Sequence, residues 1–144
     1  MRLLLLCACL TMCGVSFGQD AAVGARAAMD QFIAAFNSRD AGNVADTFHF
    51  PHVRIASAGV RVIPDKQTYV ATTDMEQFAI DNDWDFSGWD SIEVIHAKPG
   101  KVHFKVVFSR YNPQGEKYAS YDSLYILQEI DGRWGIRARS SFAP

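Results

Sequence analysis

The stretch TFHFPHVRIA, Thr47 to Ala56, carries two of the four histidines of the chain, His49 and His52, three apart with Pro51 between them. An imidazole can bind a metal, move a proton near neutral pH or serve as an ordinary hydrogen-bond partner. Metal chelation needs both rings to converge with further ligands close by. In an extended segment, positions three apart face opposite sides, so convergence would require a turn at Pro51. No HExxH-type motif is present. No metal and no cofactor are expected on these grounds. Two readings remain: His49 closes a short helix while His52 opens a strand at a rim, or the pair lines a pocket as acid–base or ligand-anchoring groups.

Glu93 and Arg110 form a second candidate set. A carboxylate can take a proton, and a guanidinium can steady developing negative charge or grip a carboxylate. Tyr121, Ser123, Tyr125 and Ser140 add hydroxyls. The ordinary alternative is that Glu93 and Arg110 pair with each other or lie in water near strand ends, with the tyrosines as plain core. Candidate catalytic groups are thus Glu93, His49, Arg110 and Tyr121.

The elements that position these groups follow from hydrophobic periodicity. Met29, Phe32, Ile33 and Phe36 recur at helical spacing, which predicts a helix over 21–37 with Phe32 and Phe36 on its apolar face. Asp40 is placed to cap a second helix over 41–48, which Pro51 prevents from continuing. HVRIASAGVRVI predicts two short strands around Gly59, and PDKQTYVATTDMEQFAIDND predicts a third helix capped by Asp65. DNDWDFSGWD is either a lip with Trp84 and Phe86 over a cavity or a helix end packed down. From Trp89 the period becomes two. Strands are predicted over 89–97, 101–111, 117–129 and 133–142, with Asp131-Gly132 as a hairpin turn. Helices followed by an antiparallel meander make an α+β domain.

The turns imply registers. Asp131-Gly132 sets Leu127 opposite Ile136, Tyr125 opposite Ala138 and Ser123 opposite Ser140. The loop over 113–116 sets Arg110 opposite Ala119, Phe108 opposite Tyr121 and Phe104 opposite Tyr125, and the turn at Pro99-Gly100 sets His96 opposite His103. Alternation then sorts two faces. Trp89, Glu93, Phe104, Phe108, Arg110, Tyr121, Ser123, Tyr125 and Ser140 fall on the inner face, with Ser91, Ile95 and Phe142. Ile92, Val94, Val107, Leu124 and Ile126 fall on the outer face among Lys105, Asp122, Arg137 and Arg139. An outer face this apolar needs a cover. The helices are used by the inner face, so a homodimer is expected through Ile92, Val94, Val107, Leu124, Ile126, Arg137 and Arg139.

Three helices, two short strands and a long meander, in this order, resemble the nuclear transport factor 2-like superfamily. That group includes ketosteroid isomerases, scytalone dehydratase, limonene-epoxide hydrolase and polyketide cyclase-like proteins. The resemblance rests on MDQFIAAFNSRDAGNVADTFHFPHVRI and YIL…DGRWGIRARSSFAP, and the order of elements extends it over nearly all of residues 19–144. It implies a cone: three N-terminal helices on a curved, mostly antiparallel sheet of about six strands, with a central pocket. It also implies dimers through the outer sheet face. Steroid isomerases of this fold carry an oxyanion-binding tyrosine on the first helix and a general-base aspartate on the first strand. The matching positions here are Phe32 and Ala56, which carry neither group. The epoxide hydrolases use Asp–Arg–Asp. Arg110 supplies a cation without two aspartates placed beside it. The histidine pair and tyrosines of the dehydratase find no aligned counterparts. The superfamily mixes enzymes with binders, so the fold alone names no activity. The leading expectation is a binder of a small, largely apolar ligand, lined by Phe32, Phe36, His49, His52, Trp89, Glu93, Phe104, Phe108, Arg110, Tyr121, Ser123, Tyr125 and Ser140. The alternatives are a lyase, isomerase or hydrolase in the same cavity, and an interaction module using the outer face.

Composition narrows the remaining classes. Fourteen Lys and Arg stand against sixteen Asp and Glu, with no basic run, which argues against a nucleic-acid partner. Residues 1–18 have one cation, Arg2, then an apolar run, then Ser16 and Gly18 two apart. That is the layout of a secretory leader, too short and wrongly flanked for a membrane span, and it leaves one domain over 19–144. No membrane role is expected once it is removed. Cys7, Cys9 and Cys13 all lie within it. The exported protein is therefore expected to begin at Gln19, without a thiol, in the periplasm or outside the cell. N-terminal mass analysis of exported material checks this; an intact Met1, or a lipid on Cys9 or Cys13, would overturn it.

Overall fold

The computed structural model describes residues 17–144. Residues 1–16, with all three cysteines and most of the expected leader, lie outside the described residues. Helix α1 (Phe17–Asn37) buries Ala25, Ala28, Met29 and Phe32 along the face that the periodicity predicts. Helix α2 (Ala41–Asp46) is capped by Asp40, whose carboxylate accepts from the Asn43 amide at 2.9 Å. It ends earlier than expected, because Phe48 already opens strand β1 (Phe48–Ala56), which runs through His49, Pro51 and His52. Strand β2 (Gly59–Ile63) pairs back on β1.

The expected third helix is two helices, so the domain has four rather than three. α3 (Lys66–Ala71) is capped by Asp65 and α4 (Met75–Asp81) by Asp74. The break falls at Thr72-Thr73-Asp74. The Thr72 hydroxyl donates to the Thr68 carbonyl at 2.7 Å, and the Asp74 carboxylate accepts from the Gln77 amide at 2.9 Å. Side chains that bond locally to the backbone in this way compete with an unbroken helix.

Strands β3 (Phe86–Lys98), β4 (Lys101–Tyr111), β5 (Lys117–Ile130) and β6 (Arg133–Ser141) form the meander. The sheet order is β2-β1-β6-β5-β4-β3, antiparallel except where β1 and β6 run parallel. α1 packs across β3 to β6. The core between them includes Phe48, Val102, Phe104, Val106, Leu127 and Ile136, each at most 1% exposed. No described helix is long and apolar enough to cross a membrane.

Most of the expected registers hold. Leu127 faces Ile136, Arg110 faces Ala119, Phe108 faces Tyr121, Phe104 faces Tyr125 and His96 faces His103. Three irregularities change the faces elsewhere. In β6, Ile126 faces Ala138 while Leu127 still faces Ile136, so Arg137 is an inserted residue. Tyr125 consequently faces Arg139 rather than Ala138, and Ser123 faces Ser141 rather than Ser140. In β3 the ladder slips between Trp89 and Ser91 and again between Val94 and His96. One extra residue reverses the facing of all that follow. Glu93 therefore pairs with Lys105 on the outer face, and Ser91 lies opposite Val107 there as well. Ile92 instead faces Val106 and packs on the core, and Val94 faces Phe104. Ile95 and Phe142, expected inside, are exposed.

Candidate functional site

A cavity of about 280 Å³ opens between the inner face of the sheet, α1 and the α3–α4 segment. Its apolar lining is mainly aromatic: Phe32 and Phe36 from α1, Phe78 from α4, and Trp89, Phe108 and Tyr125 from the sheet. Phe32 sits at the centre, with ring centroids of Phe36, Phe48, Trp89 and Tyr125 all within 6.2 Å of its own.

The polar lining is dominated by cations. Arg54, Arg61, Arg110 and Arg139 all contribute, from β1, β2, β4 and β6. Arg110 is only 4% exposed, and its guanidinium lies 5.0 Å from the Phe78 ring centroid and 5.1 Å from that of Tyr121. Arg139, turned inward by the inserted Arg137, lies 5.3 Å from the Phe32 ring centroid. Arg54 donates to the main-chain oxygen of Pro144 at 3.0 Å. Burial, then the charges of Arg139, Arg61 and Arg110, lower its pKa to about 10, so it remains a cation at neutral pH. The side-chain carboxylate in the described lining is that of Asp74, already engaged as the cap of α4.

His52 also lines the cavity, fully buried and stacked on Phe48 at 3.9 Å. Its Nδ1–H donates to the Ile136 carbonyl at 3.2 Å, which leaves the lone pair on Nε2. Burial, then the Arg139 charge, holds its pKa at about 3. It is a neutral acceptor and a weak base.

His49 is elsewhere. Its Nδ1 accepts from the Arg133 guanidinium at 2.8 Å, and its Nε2–H donates to the Arg133 carbonyl at 3.0 Å. Both ring nitrogens are used in fastening β1 to the start of β6, and burial is the main reason its pKa lies below the ordinary imidazole value. The ring fits because residue 135 is glycine: a Cβ there would lie 2.8 Å from His49 Cδ2. The two histidines therefore do not converge, and no group of three or more His, Cys, Asp or Glu among the described residues could hold a metal ion.

The structure brings Phe32, Phe36, His52, Trp89, Phe108, Arg110 and Tyr125 together around one space. Phe104 and Ser123 are buried in the sheet below that space, and Tyr121 backs Arg110 without forming the wall. Glu93 and Ser140 are excluded by the slips in β3 and β6, and Ser141 lines the cavity in the place expected of Ser140. Trp84 is packed down rather than forming a lip, with its indole N–H donating to Ser87 at 2.9 Å. The sequence reading missed Arg54, Arg61, Tyr69 and Arg139. Arg54 had a usable signal, because it lies two residues after His52 on the same strand.

A cone of four helices on a six-stranded sheet, closed around an aromatic and arginine-lined cavity, defines an NTF2-like α+β domain. The chain belongs to the NTF2-like protein family DUF6841, whose model matches residues 20–142. Three solved structures share the fold at a TM-score of 0.68. One is an NTF2-like protein of unknown function from Pseudomonas putida KT2440, with 14% identity over 88% of this chain and 88% of that one. Another is an NTF2-like protein with a cystatin-like fold from Novosphingobium aromaticivorans, with 7% identity over 87% and 82%. The third is Aln2 from a Streptomyces species, with 17% identity over 86% and 91%. At these identities the likeness concerns the fold. No curated protein matches the chain.

The state of His52 sets a pH dependence. Its ordinary pKa of 6.5 falls to about 3 on folding. Between these values the unfolded chain binds a proton that the native protein does not. This contribution to stability is therefore complete above pH 6.5 and is lost as pH falls towards 3. Urea unfolding at about pH 7.5 and about pH 5 should differ by roughly 2 kcal/mol from this group. His52→Phe should reduce the difference by that amount, and an unchanged difference would remove His52 as its source.

Proposed function

We propose that this domain binds a small organic molecule in the cavity between α1, α4 and the inner face of the sheet. The observation that carries this reading is the cavity itself, about 280 Å³, walled by aromatic rings with arginines, His52 and hydroxyls set among them. Two groups on which an acid–base reading would rely, Glu93 and His49, lie outside it, which favours binding over proton transfer. Two flat probes of the right scale, 2-naphthamide and 2-naphthoate, test the reading by amide NMR titration. At least one should bind saturably and shift Phe32, Trp89 and Phe108. Ile33→Trp, which places an indole into the lining, should weaken that binding at least about tenfold while leaving the fold intact. Binding by neither probe, or shifts elsewhere on the molecule, would overturn the reading.

We further propose that the domain is exported and that it forms a two-fold homodimer. The leader-like residues 1–18 support export of the domain to the periplasm or beyond the cell. The outer sheet face supports a two-fold homodimer, through a smaller patch than alternation alone predicts. Val107, Leu124 and Ile126 remain on this face beside Lys105 and Asp122, whereas Ile92 and Arg139 have turned inward and Val94 lies on the other face opposite Phe104, where it stays exposed. Leu124 is 36% exposed, and α1 packs on the opposite face. Sedimentation at micromolar concentration should give a dimer for the wild type and a monomer for Leu124→Arg, which sets like charges together across the two-fold axis. A monomeric wild type would refute the dimer.

A further inference from the structure

The cavity has the wrong electrostatics for a neutral apolar guest. Four arginines line it in a chain whose formal net charge is −2, and the carboxylate of Asp74 is committed to capping α4. Among the described residues Arg54, Arg110 and Arg139 form no ion pair with a side-chain carboxylate; the ion pairs of the described chain lie on other residues. The Nε atoms of Arg110 and Arg139 and the indole nitrogen of Trp89 are buried donors without a hydrogen-bond partner. Buried donors and charges left in this way are costly, and a partner from outside the chain would relieve that cost. Arg110 is held between the Phe78 and Tyr121 rings and Arg139 over Phe32. These contacts steady the guanidinium planes without satisfying their N–H groups. Like-charge crowding is visible in Arg54, whose pKa is lowered both by burial and by its three arginine neighbours.

Resting on the pocket reading above, we infer that the ligand is an organic carboxylate with a flat apolar body, its carboxylate received by Arg110 and Arg139. A carboxylate suits the planar fork of a guanidinium in bidentate fashion. The aromatic walls accept the body, and their extent argues against a bare inorganic anion. The buried lone pair of His52 Nε2, also without a partner, offers an acceptor on the same lining. A hydroxyl on the ligand would satisfy it.

The discriminating comparison is made on the wild-type protein, so it does not depend on any variant folding. 2-Naphthoate and 2-naphthamide have nearly the same shape and differ in charge. Calorimetric titration should give naphthoate at least about tenfold tighter binding than naphthamide, weakening as sodium chloride is raised. Inorganic phosphate should compete only poorly. Arg110→Gln and Arg139→Gln, checked for fold by circular dichroism, should each lower naphthoate affinity about tenfold or more and leave naphthamide unchanged. Arg110→Lys, which keeps the charge but not the fork, should recover only part of the loss. Equal binding of the two probes would leave the pocket reading standing and overturn the carboxylate. Phosphate competing as well as naphthoate would overturn the organic body. Binding of neither probe would remove both readings together.

Discussion

Arg137 has no partner in the ladder between β5 and β6. Leu127 faces Ile136, the next pair is Ile126 with Ala138, and from that point to the end of β6 the side chains have exchanged faces. The site depends on this single insertion. Because of it, Arg139 points at Phe32 and Ser141 reaches the cavity, while Ser140 lies opposite Leu124 on the far side. The inserted residue is itself tied down, as the Arg137 guanidinium donates to the Phe50 carbonyl of the neighbouring strand. That bond also braces β1 where Pro51 can offer no amide to the ladder. The same region is fastened a second time by His49 and Arg133, with Gly135 leaving room for the imidazole.

The slips in β3 have a complementary effect. The first, at Asp90, places that carboxylate among Ser109, Ser120 and Lys117 on the outer side of the sheet. Its pKa is held below the usual carboxylate range chiefly by the Ser109 hydroxyl, and then by Lys117. The slip also removes Glu93 from the inner face, where it would otherwise stand near the arginines. The inner face is thereby depleted of carboxylates and enriched in cations. An arginine cluster in a largely aromatic cavity is stable only if the guanidiniums rest on ring faces and keep some access to solvent or to a guest.

The helices form the rest of the enclosure. Aspartates cap α2, α3 and α4, each accepting from an amide three residues on. The break between α3 and α4 matters for the cavity because it brings Thr72, Thr73 and Met75 to its wall and lets Phe78 approach Arg110. A continuous helix would carry these side chains around its axis at helical pitch.

Local chemistry alone determined much of this protein. The apolar stripe from Met29 to Phe36, the caps at Asp40 and Asp65, the turn at Asp131-Gly132 and the period-two meander are short-range signals, and each marks an element of the fold, although the helix that Asp65 opens stops at Ala71 and the one that Asp40 opens stops at Asp46. Where pairing is set by a nearby turn, register was legible too, and Phe108, Arg110 and Tyr125 were correctly placed inside. Facing beyond a slip was not legible. Whether a strand accommodates one extra residue depends on the fit of its neighbours across the sheet, not on its own alternation. Arg139 and Glu93 therefore exchanged expected sides, and only the folded sheet decided which of them meets a ligand. The concentration of arginines was hidden for a related reason. Arg54, Arg61, Arg110 and Arg139 lie on four strands and become neighbours only when the sheet curls around α1.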